Sequence, residues 1–428
     1  MDKKVLIISR NAWSNNISTG NTLSNLFEGW DPSSIANIYC RSEKIDNQIC
    51  KKYYQITEKQ LIKSMIGRDM AGKEVLLTEM DNTKEEKNIE NNKKVYSFFR
   101  KFKLTIFLWI RELIWLFGNW KNERINNYLE DFKPEIVFMP IYDCFYMHRI
   151  LQYVKKKSGA KVVLWTGDDM YSLKQFSLSP LFWINRLILR KYIKQSVKIS
   201  SIRYCITPEQ SEEYQKYFSV DFKILGKEMK QAKDIDDITK NKSLVSLVYT
   251  GNIDRGRFKS LIKICEVLDS YHDIPESCFY IYSGSSLSKQ MNKKINGFRH
   301  TKFMGEVSSL EVFAIQKAAD IVVHVESLDI KERLRTRLSL STKIIDYMSN
   351  KCCIFALGWE EASSIKFLER SNSAVICNGY EEIDKNLKPL LMNKDLRERY
   401  AYKAYQFVKM NFPPGYCRNI LKHDLNNI

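Results

Sequence analysis

Short apolar runs of strand length alternate along the chain with longer stretches of helical periodicity. In the first half the apolar runs are Val5–Ser9, Ile35–Tyr39, Ile136–Met139, Lys161–Trp165 and Tyr204–Thr207, each bounded by polar or glycine-containing turns. Such runs predict buried strands. Between them the pattern predicts helices through Leu23, Leu26 and Phe27 (capped by Asn21 or Thr22), over Asn126–Phe132, and from Pro208 through Tyr217. Residues 81–94 are polar and charged and predict a surface loop or disordered insert. At 226–243 (GKEMKQAKDIDDITKNKS) apolar content collapses, as in a linker.

Beyond it the rhythm restarts. Strands are predicted at Leu244–Tyr249, Cys278–Tyr282, Thr301–Met304, Asp320–Val325, Cys352–Ala356 and Val375–Cys377. Helices are predicted over Lys259–Tyr271, Leu310–Ala318, Thr342–Ser349 and Asp395 to about Asn411. This repeated alternation predicts an α/β protein of two Rossmann-like domains facing a cleft. The first spans 1–225, the linker 226–243 and the second domain 244–410, with a tail at 411–428 that crosses back to the first domain.

Composition narrows the class. With 428 residues, 44% of them hydrophobic, the chain has material for two cores, and disorder is excluded. Its ten cysteines form no CxxC pair, and the five histidines show no metal-ligand spacing, so neither a disulfide framework nor a zinc site is expected. The apolar stretch at the N-terminus is too short for a signal peptide. These features predict a cytoplasmic protein. The formal charge of +18 calls for an anionic partner. It is concentrated: residues 155–203 hold eleven Lys or Arg and two acids. The 17 residues of Leu104–Trp120 are strongly apolar, but Arg111 and Glu112 interrupt them. That is a poor membrane span. Flanking cations (Arg100, Lys101, Lys103, Lys121, Arg124) and Trp109, Trp115 and Trp120 suit a helix lying in a membrane surface. The other reading is a buried domain helix, and both hold if the helix is half covered.

Four segments carry candidate chemistry. In VYTGNIDRGR, Gly251 ends a strand where backbone approaches a ligand closely, and Asn252, Arg255 and Arg257 surround the next helix start. In RLSLSTKIIDYMSNK, Ser339 or Ser341 caps a helix whose first turn holds Thr342 and Lys343, and Asp346 lies one turn on. Hydroxyls, amides and an ammonium there suit a diphosphate, and the carboxylate suits a ribose diol. In WTGDDMYS, Asp168 and Asp169 follow a strand, positioned to orient an acceptor hydroxyl or to cap a helix. The polar loop Asn11–Asn21 offers Asn16, Thr19, Gly20 and Asn21 to a sugar. Asp234-Ile235-Asp236 has the form of a metal-binding DxD but lies in the charged linker without a preceding strand, so no metal is expected there.

The stretch STKIIDYMSNKCCIFALG resembles the donor-nucleotide segment of bacterial GT-B glycosyltransferases, especially those similar to glycosyltransferase family 4. VYTGNIDRGR resembles the phosphate loop of their donor domain, and AADIVVHVESLD the strand before their donor pocket. The resemblance covers most of 244–410. It implies that Arg257 and Lys343 hold the donor diphosphate and Asp346 the ribose, with Gly251, Asn252, Arg255, Ser341 and Thr342 around them. There are departures. The family's pair of acids with seven residues between them is missing, because Leu338 stands eight before Asp346; Glu326 and Asp329 are the nearest first acids. Asn350 stands where the family has glycine, and Asn252 where it commonly has arginine.

The resemblance implies a glycosyltransferase that moves a sugar from a nucleotide-diphosphate sugar to a glycan or lipid-linked hydroxyl, in bacterial surface polysaccharide or glycoconjugate synthesis. It implies retention at the anomeric carbon, with Asp168, Asp169 and Glu326 as catalytic candidates. No cofactor or divalent metal is expected, since Arg, Lys and helix dipoles can stabilise a diphosphate leaving group. The partners expected are the donor, the acceptor and an anionic membrane surface on the inner face, without nucleic acid. A sugar-nucleotide epimerase or hydrolase, a non-catalytic scaffold and a nucleic-acid-binding protein are the alternatives.

Overall fold

The structure, a computed structural model, describes residues 2–13, 18–43, 45, 49–67, 69–75, 105–229 and 244–428. The chain divides into two compact units: Met1–Leu173 with Ser177–Leu225 and Arg418–Ile428, and Lys174–Phe176 with Gly226–Cys417.

The first unit is built on an eight-stranded sheet. Its strands are β1 (Val5–Ser9), β2 (Ile35–Tyr39), β3 (Lys52–Gln55), β4 (Lys73–Val75), β5 (Ile136–Pro140), β6 (Lys161–Thr166), β7 (Ser200–Cys205) and β8 (Lys223–Ile224). Their spatial order is β4-β3-β2-β1-β5-β6-β7-β8, parallel except for β4, which runs antiparallel to β3. β1, β2 and β5 are buried at every position. A parallel strand covered on both faces has no polar side to show, so these strands are mostly apolar; the buried Asn37 in β2 is satisfied by donating to Ile7 O and Ser9 Oγ. The helices are α1 (Ser18–Leu26), α2 (Glu58–Ile66), α3 (Thr105–Phe117), α4 (Glu123–Phe132), α5 (Phe145–Ser158), α6 (Pro180–Ile199) and α7 (Pro208–Phe218).

The second unit carries β9 (Val245–Thr250), α8 (Arg257–Asp269), β10 (Ser277–Tyr282), α9 (Lys289–Ile295), β11 (Thr301–Gly305) and α10 (Ser309–Ala318). It continues with β12 (Ile321–Val325), α11 (Ile330–Thr336), α12 (Lys343–Ser349), β13 (Cys353–Leu357), α13 (Ser363–Arg370) and β14 (Ala374–Cys377). It closes with α14 (Ile383–Met392), α15 (Lys394–Asn411) and the start of α16 (Tyr416–Asn426). The six strands are all parallel, in the order β11-β10-β9-β12-β13-β14. This is the doubly wound arrangement, with its direction reversing between β9 and β12. One face buries Leu247, Tyr249, Val323, Val325 and Phe355 against α8 and α14. The other buries Val248, Val322 and Ile354 against α12 and α15.

Several expectations change. Residues 226–229, read as the start of a linker, belong to the second unit: Lys227, Glu228 and Met229 are buried. Met229 N–H donates to Phe412 O, and the Glu228 carboxylate accepts from the N–H groups of Gly415 and Cys417. The strand expected at Tyr204–Thr207 is Ser200–Cys205. Helix α1 starts at Ser18, so Asn21 and Thr22 lie inside it and not at its start. The charged stretch KERLRT, where the pattern predicted no element, forms most of α11. Trp115 and Trp120 are buried in the first unit, where Trp115 stacks on Tyr146 with ring centroids 4.2 Å apart. They are core residues and not interfacial ones. The 81–94 segment and Asp234 to Asp236 lie outside the described residues.

Candidate functional site

The switch point of the second unit gathers the titratable groups. β9 ends at Thr250, and Gly251 follows it. Tyr249 O–H donates to Asn252 O at 2.7 Å, and Asn252 Oδ1 accepts from the Asp254 N–H at 2.6 Å, which holds the turn. Gly256, with φ of 78°, leads into α8. A Cβ there would stand 2.2 Å from Ser327 Oγ, so only glycine fits.

Arg257 opens α8. Its guanidinium reaches across the switch point, donating to Val325 O at 3.2 Å and to Glu326 Oε2 at 3.0 Å. Glu326 follows β12, and its N–H is held by Leu357 O. Its Oε1 lies 3.5 Å from His324 Nε2, a buried nitrogen with no hydrogen-bond partner. Burial holds the His324 imidazole down at about 4, so the ring is neutral near pH 7. Burial also works against the charge on Arg257, but Glu326 outweighs it and keeps the guanidinium ionised.

Lys343 enters from the first turn of α12. Its ammonium donates to Thr250 O at 2.8 Å. Gly251 makes this possible, because a Cβ there would lie 2.4 Å from Lys343 Nζ. Burial, with the neighbouring Arg257 cation, lowers the Lys343 pKa to about 8. One turn on, Asp346 accepts from Lys227 Nζ through both carboxylate oxygens at 2.6 Å. Three cations thus meet two carboxylates within one crevice. A carboxylate has about four acceptor sites, so Asp346 retains capacity for further donors.

The sequence-level donor residues therefore separate. Gly251, Arg257, Lys343, Asp346 and Glu326 come together. Asn252 and Arg255 lie exposed on the turn after Gly251, Arg255 in the left-handed region with φ of 57°. Ser341 and Thr342 are half-buried just before α12, but neither side chain caps it; nor does Ser339, whose carbonyl accepts from Ser364 Oγ. Lys227 and His324 were missed. Lys227 sits in a run of charges that resembles solvated linker, and His324 sits inside an apolar strand.

In the first unit the acid pair divides. Asp169 is buried: its Oδ1 accepts from the N–H groups of Tyr171 and Ser172, its Oδ2 from the Ser172 hydroxyl, and Arg186 lies 3.5 Å away. Its carboxyl side chain has no exposed surface, and its bonds anchor the loop after β6. Asp168 is exposed beside it. Of the polar loop residues, Thr19, Gly20 and Asn21 lie in α1 and not in a loop, while Asn16 falls outside the described residues. At the switch point between β1 and β5, Arg10 pairs with Asp143 at 2.9 Å and Asn11 donates to Glu43 at 2.8 Å, three charged residues the sequence reading did not single out.

The whole chain aligns with Anabaena HepE in complex with UDP and glucose, at a TM-score of 0.64 and 9% identity, covering 99% of this chain and 100% of that one. The chain has the GT-B fold. WaaG, a glycosyltransferase involved in lipopolysaccharide biosynthesis, aligns at a TM-score of 0.56 and 11% identity, covering 98% of this chain and 99% of that one. An α,α-trehalose-phosphate synthase (UDP-forming) from Burkholderia xenovorans, in complex with glucose-6-phosphate, aligns at 0.59 and 9% identity, covering 99% and 100%. By sequence, residues 267–413 match the glycosyl transferase-like family. In this GT-B chain the match includes Glu326, Lys343 and Asp346 and begins after Gly251 and Arg257. No curated protein matches the chain by sequence.

Proposed function

We propose that the chain transfers a sugar from a nucleotide-diphosphate sugar to a hydroxyl of a glycan or lipid-linked acceptor, in surface polysaccharide or glycoconjugate synthesis. One observation carries this reading: the Arg257 guanidinium and the Lys343 ammonium converge with the Gly251 turn at the switch point of the second unit. In doubly wound sheets ligands bind there, outside the carboxyl ends of the strands.

The chemistry follows from the groups present. As the glycosidic bond breaks, negative charge grows on the departing diphosphate. Arg257 and Lys343 are fixed in a partly desolvated crevice, where such charge is stabilised without solvent reorganisation. Glu326 holds Arg257 in place and contributes a carboxylate near the reacting sugar. Asp346, oriented by Lys227, receives the ribose hydroxyls. Transfer proceeds with retention and without a divalent ion. HepE was crystallised with UDP and glucose, which supports a nucleotide-sugar donor. The acceptor is taken up by the first unit at an anionic membrane surface; no described helix is long and apolar enough to cross a membrane.

A thermal-shift screen of UDP-, GDP-, ADP- and CMP-sugars tests the donor, since a ligand of the folded state raises its melting temperature. Product analysis with the selected donor, in excess chelator, tests transfer. One donor class stabilises the protein, and chelator leaves turnover intact. Stabilisation by none, or strict dependence on added metal, refutes the reading.

A further inference from the structure

A second cationic site lies in the first unit, away from the strand ends. Helices α5 and α6 pack side by side, with His148 joined to Ser196 at 2.9 Å and Phe145 stacked on Tyr192 at 5.4 Å. Beyond that contact they enclose a groove of 860 Å³. Five of its lining residues are cations: Lys121, Arg149, Lys156, Lys157 and Lys191. Among the described lining residues none is acidic. Arg149 is neutralised by the buried Glu112 at 3.0 Å. Lys121 and Lys157 rest over the rings of Trp120 and Tyr153 at 5.2 and 5.9 Å, contacts that leave their charge unneutralised.

The pattern on α5 is deliberate at the level of spacing. Arg149, Gln152, Tyr153, Lys156 and Lys157 recur at three- and four-residue intervals and so share one face. Four lysines gathered on one groove repel one another unless an anion lies between them. This groove is on the C-terminal half of α5, which leads back to the start of β6. It is therefore not part of the acceptor end of the sheet, where β6 finishes at Thr166.

Apolar surface adjoins the groove along two helices. On α6, Leu181, Ile184 and Leu187 are about half exposed, and the same stripe continues through Ile188 and Lys191 into the groove. On α3, Ile110, Leu113 and Phe117 are exposed at 46, 49 and 66%, and Lys121 follows in the segment after the helix ends at Phe117. In both segments exposed apolar side chains lead in sequence to a lysine of the groove. A soluble polyanion would use the lysines and leave the aliphatic residues idle. A bilayer surface uses both, because acyl chains lie beside phosphate headgroups.

We propose that the groove between α5 and α6 binds the phosphate headgroups of anionic phospholipids, while the exposed faces of α3 and α6 enter the acyl boundary. This rests on the membrane-surface part of the proposed function and names the element that performs it. The affinity is additive over lysines near the surface and falls with salt.

The test is sedimentation of the full chain with vesicles of phosphatidylcholine alone and of phosphatidylcholine with phosphatidylglycerol, at low and high salt. The chain binds the anionic vesicles, and the double variant Lys156→Gln/Lys191→Gln binds them on the order of tenfold or more weaker. The control Lys385→Gln/Lys409→Gln, which removes the same charge from the second unit, binds as wild type. The double variant Ile184→Ser/Leu187→Ser also weakens binding while leaving binding of inorganic polyphosphate unchanged. Equal binding to neutral and anionic vesicles, equal losses in groove and control variants, or binding of polyphosphate by a chain that binds neither kind of vesicle would each overturn the proposal. Donor-induced thermal shifts are read in parallel. Loss of donor binding in the wild type would strike the transferase reading alone, and loss of vesicle binding the groove and the membrane-surface clause while leaving donor use standing.

Discussion

Replacing Lys343 by methionine separates what the crevice costs the fold from what it does for the ligand. In the folded chain burial, Arg257 and Lys227 lower the Lys343 pKa from 10.5 to about 8, against the pull of Asp346 and Glu326. Between those two pH values the unfolded chain binds more protons than the folded one, so stability rises with pH across that window. At pH 7 both states are protonated and the full penalty of ~3 kcal/mol is present. Partial exposure of the residue reduces it, and methionine forfeits the bond to Thr250 O, so Lys343→Met gains ~1–2 kcal/mol at pH 7. The gain shrinks toward zero by pH 10. Donor affinity moves the other way. Losing one charge-assisted contact to a diphosphate costs ~1.5–3 kcal/mol, or roughly 10–150-fold in Kd. In the wild type, kcat/KM falls above about pH 8 as the ammonium deprotonates, and the variant lacks that limb. Chemical denaturation at pH 7 and pH 10 reads the first effect and calorimetric titration of the donor the second. A variant that is less stable at pH 7 and keeps its donor affinity would refute the reasoning.

Other expectations follow from single contacts. Gly256→Ala forces a Cβ against Ser327 Oγ at positive φ and lowers stability by ~1–3 kcal/mol, read by urea denaturation. Asp169→Asn places an amide where the N–H groups of Tyr171 and Ser172 donate and leaves Arg186 without its counter-ion; it costs ~3 kcal/mol of stability, while kcat of the folded protein stays within twofold, roughly. A large kcat loss at intact stability would restore Asp169 as a catalytic group. Asp424 accepts from Tyr204 and Lys223, and despite burial these partners keep its pKa below 3.8. A depressed carboxylate stabilises above its unfolded pKa and stops doing so as pH falls through the folded value. Asp424→Asn therefore destabilises at pH 7, and its difference from wild type narrows below about pH 4, as thermal melts against pH will show.

The strands were legible because parallel sheets covered on both faces leave near-continuous apolar runs, as at Val5–Ile8 and Cys353–Leu357. Helices in charged sequence were not. KERLRT in α11 has no apolar stripe that separates it from a loop. Of the candidate site, Arg257 was visible because it opens a helix after a strand, and Lys343 because it opens a helix after a run of serines and a threonine. Lys227 was hidden because its role depends on Asp346, 119 residues away, and a lone lysine among lysines carries no local signal. Asp169 misled for the same reason: two adjacent acids look alike in sequence, and only the positions of Ser172, Tyr214 and Arg186 decide which one is buried.

Arg257 and Lys343 are placed to grip a diphosphate at the switch point of the second unit. Calorimetric titration of the unmodified protein with the nucleoside diphosphate and the nucleoside monophosphate of the base selected by the donor screen tests it most directly. The diphosphate binds at least tenfold tighter, about 1.4 kcal/mol, and Lys343→Met narrows the gap. Equal affinity for the two nucleotides would contradict the account.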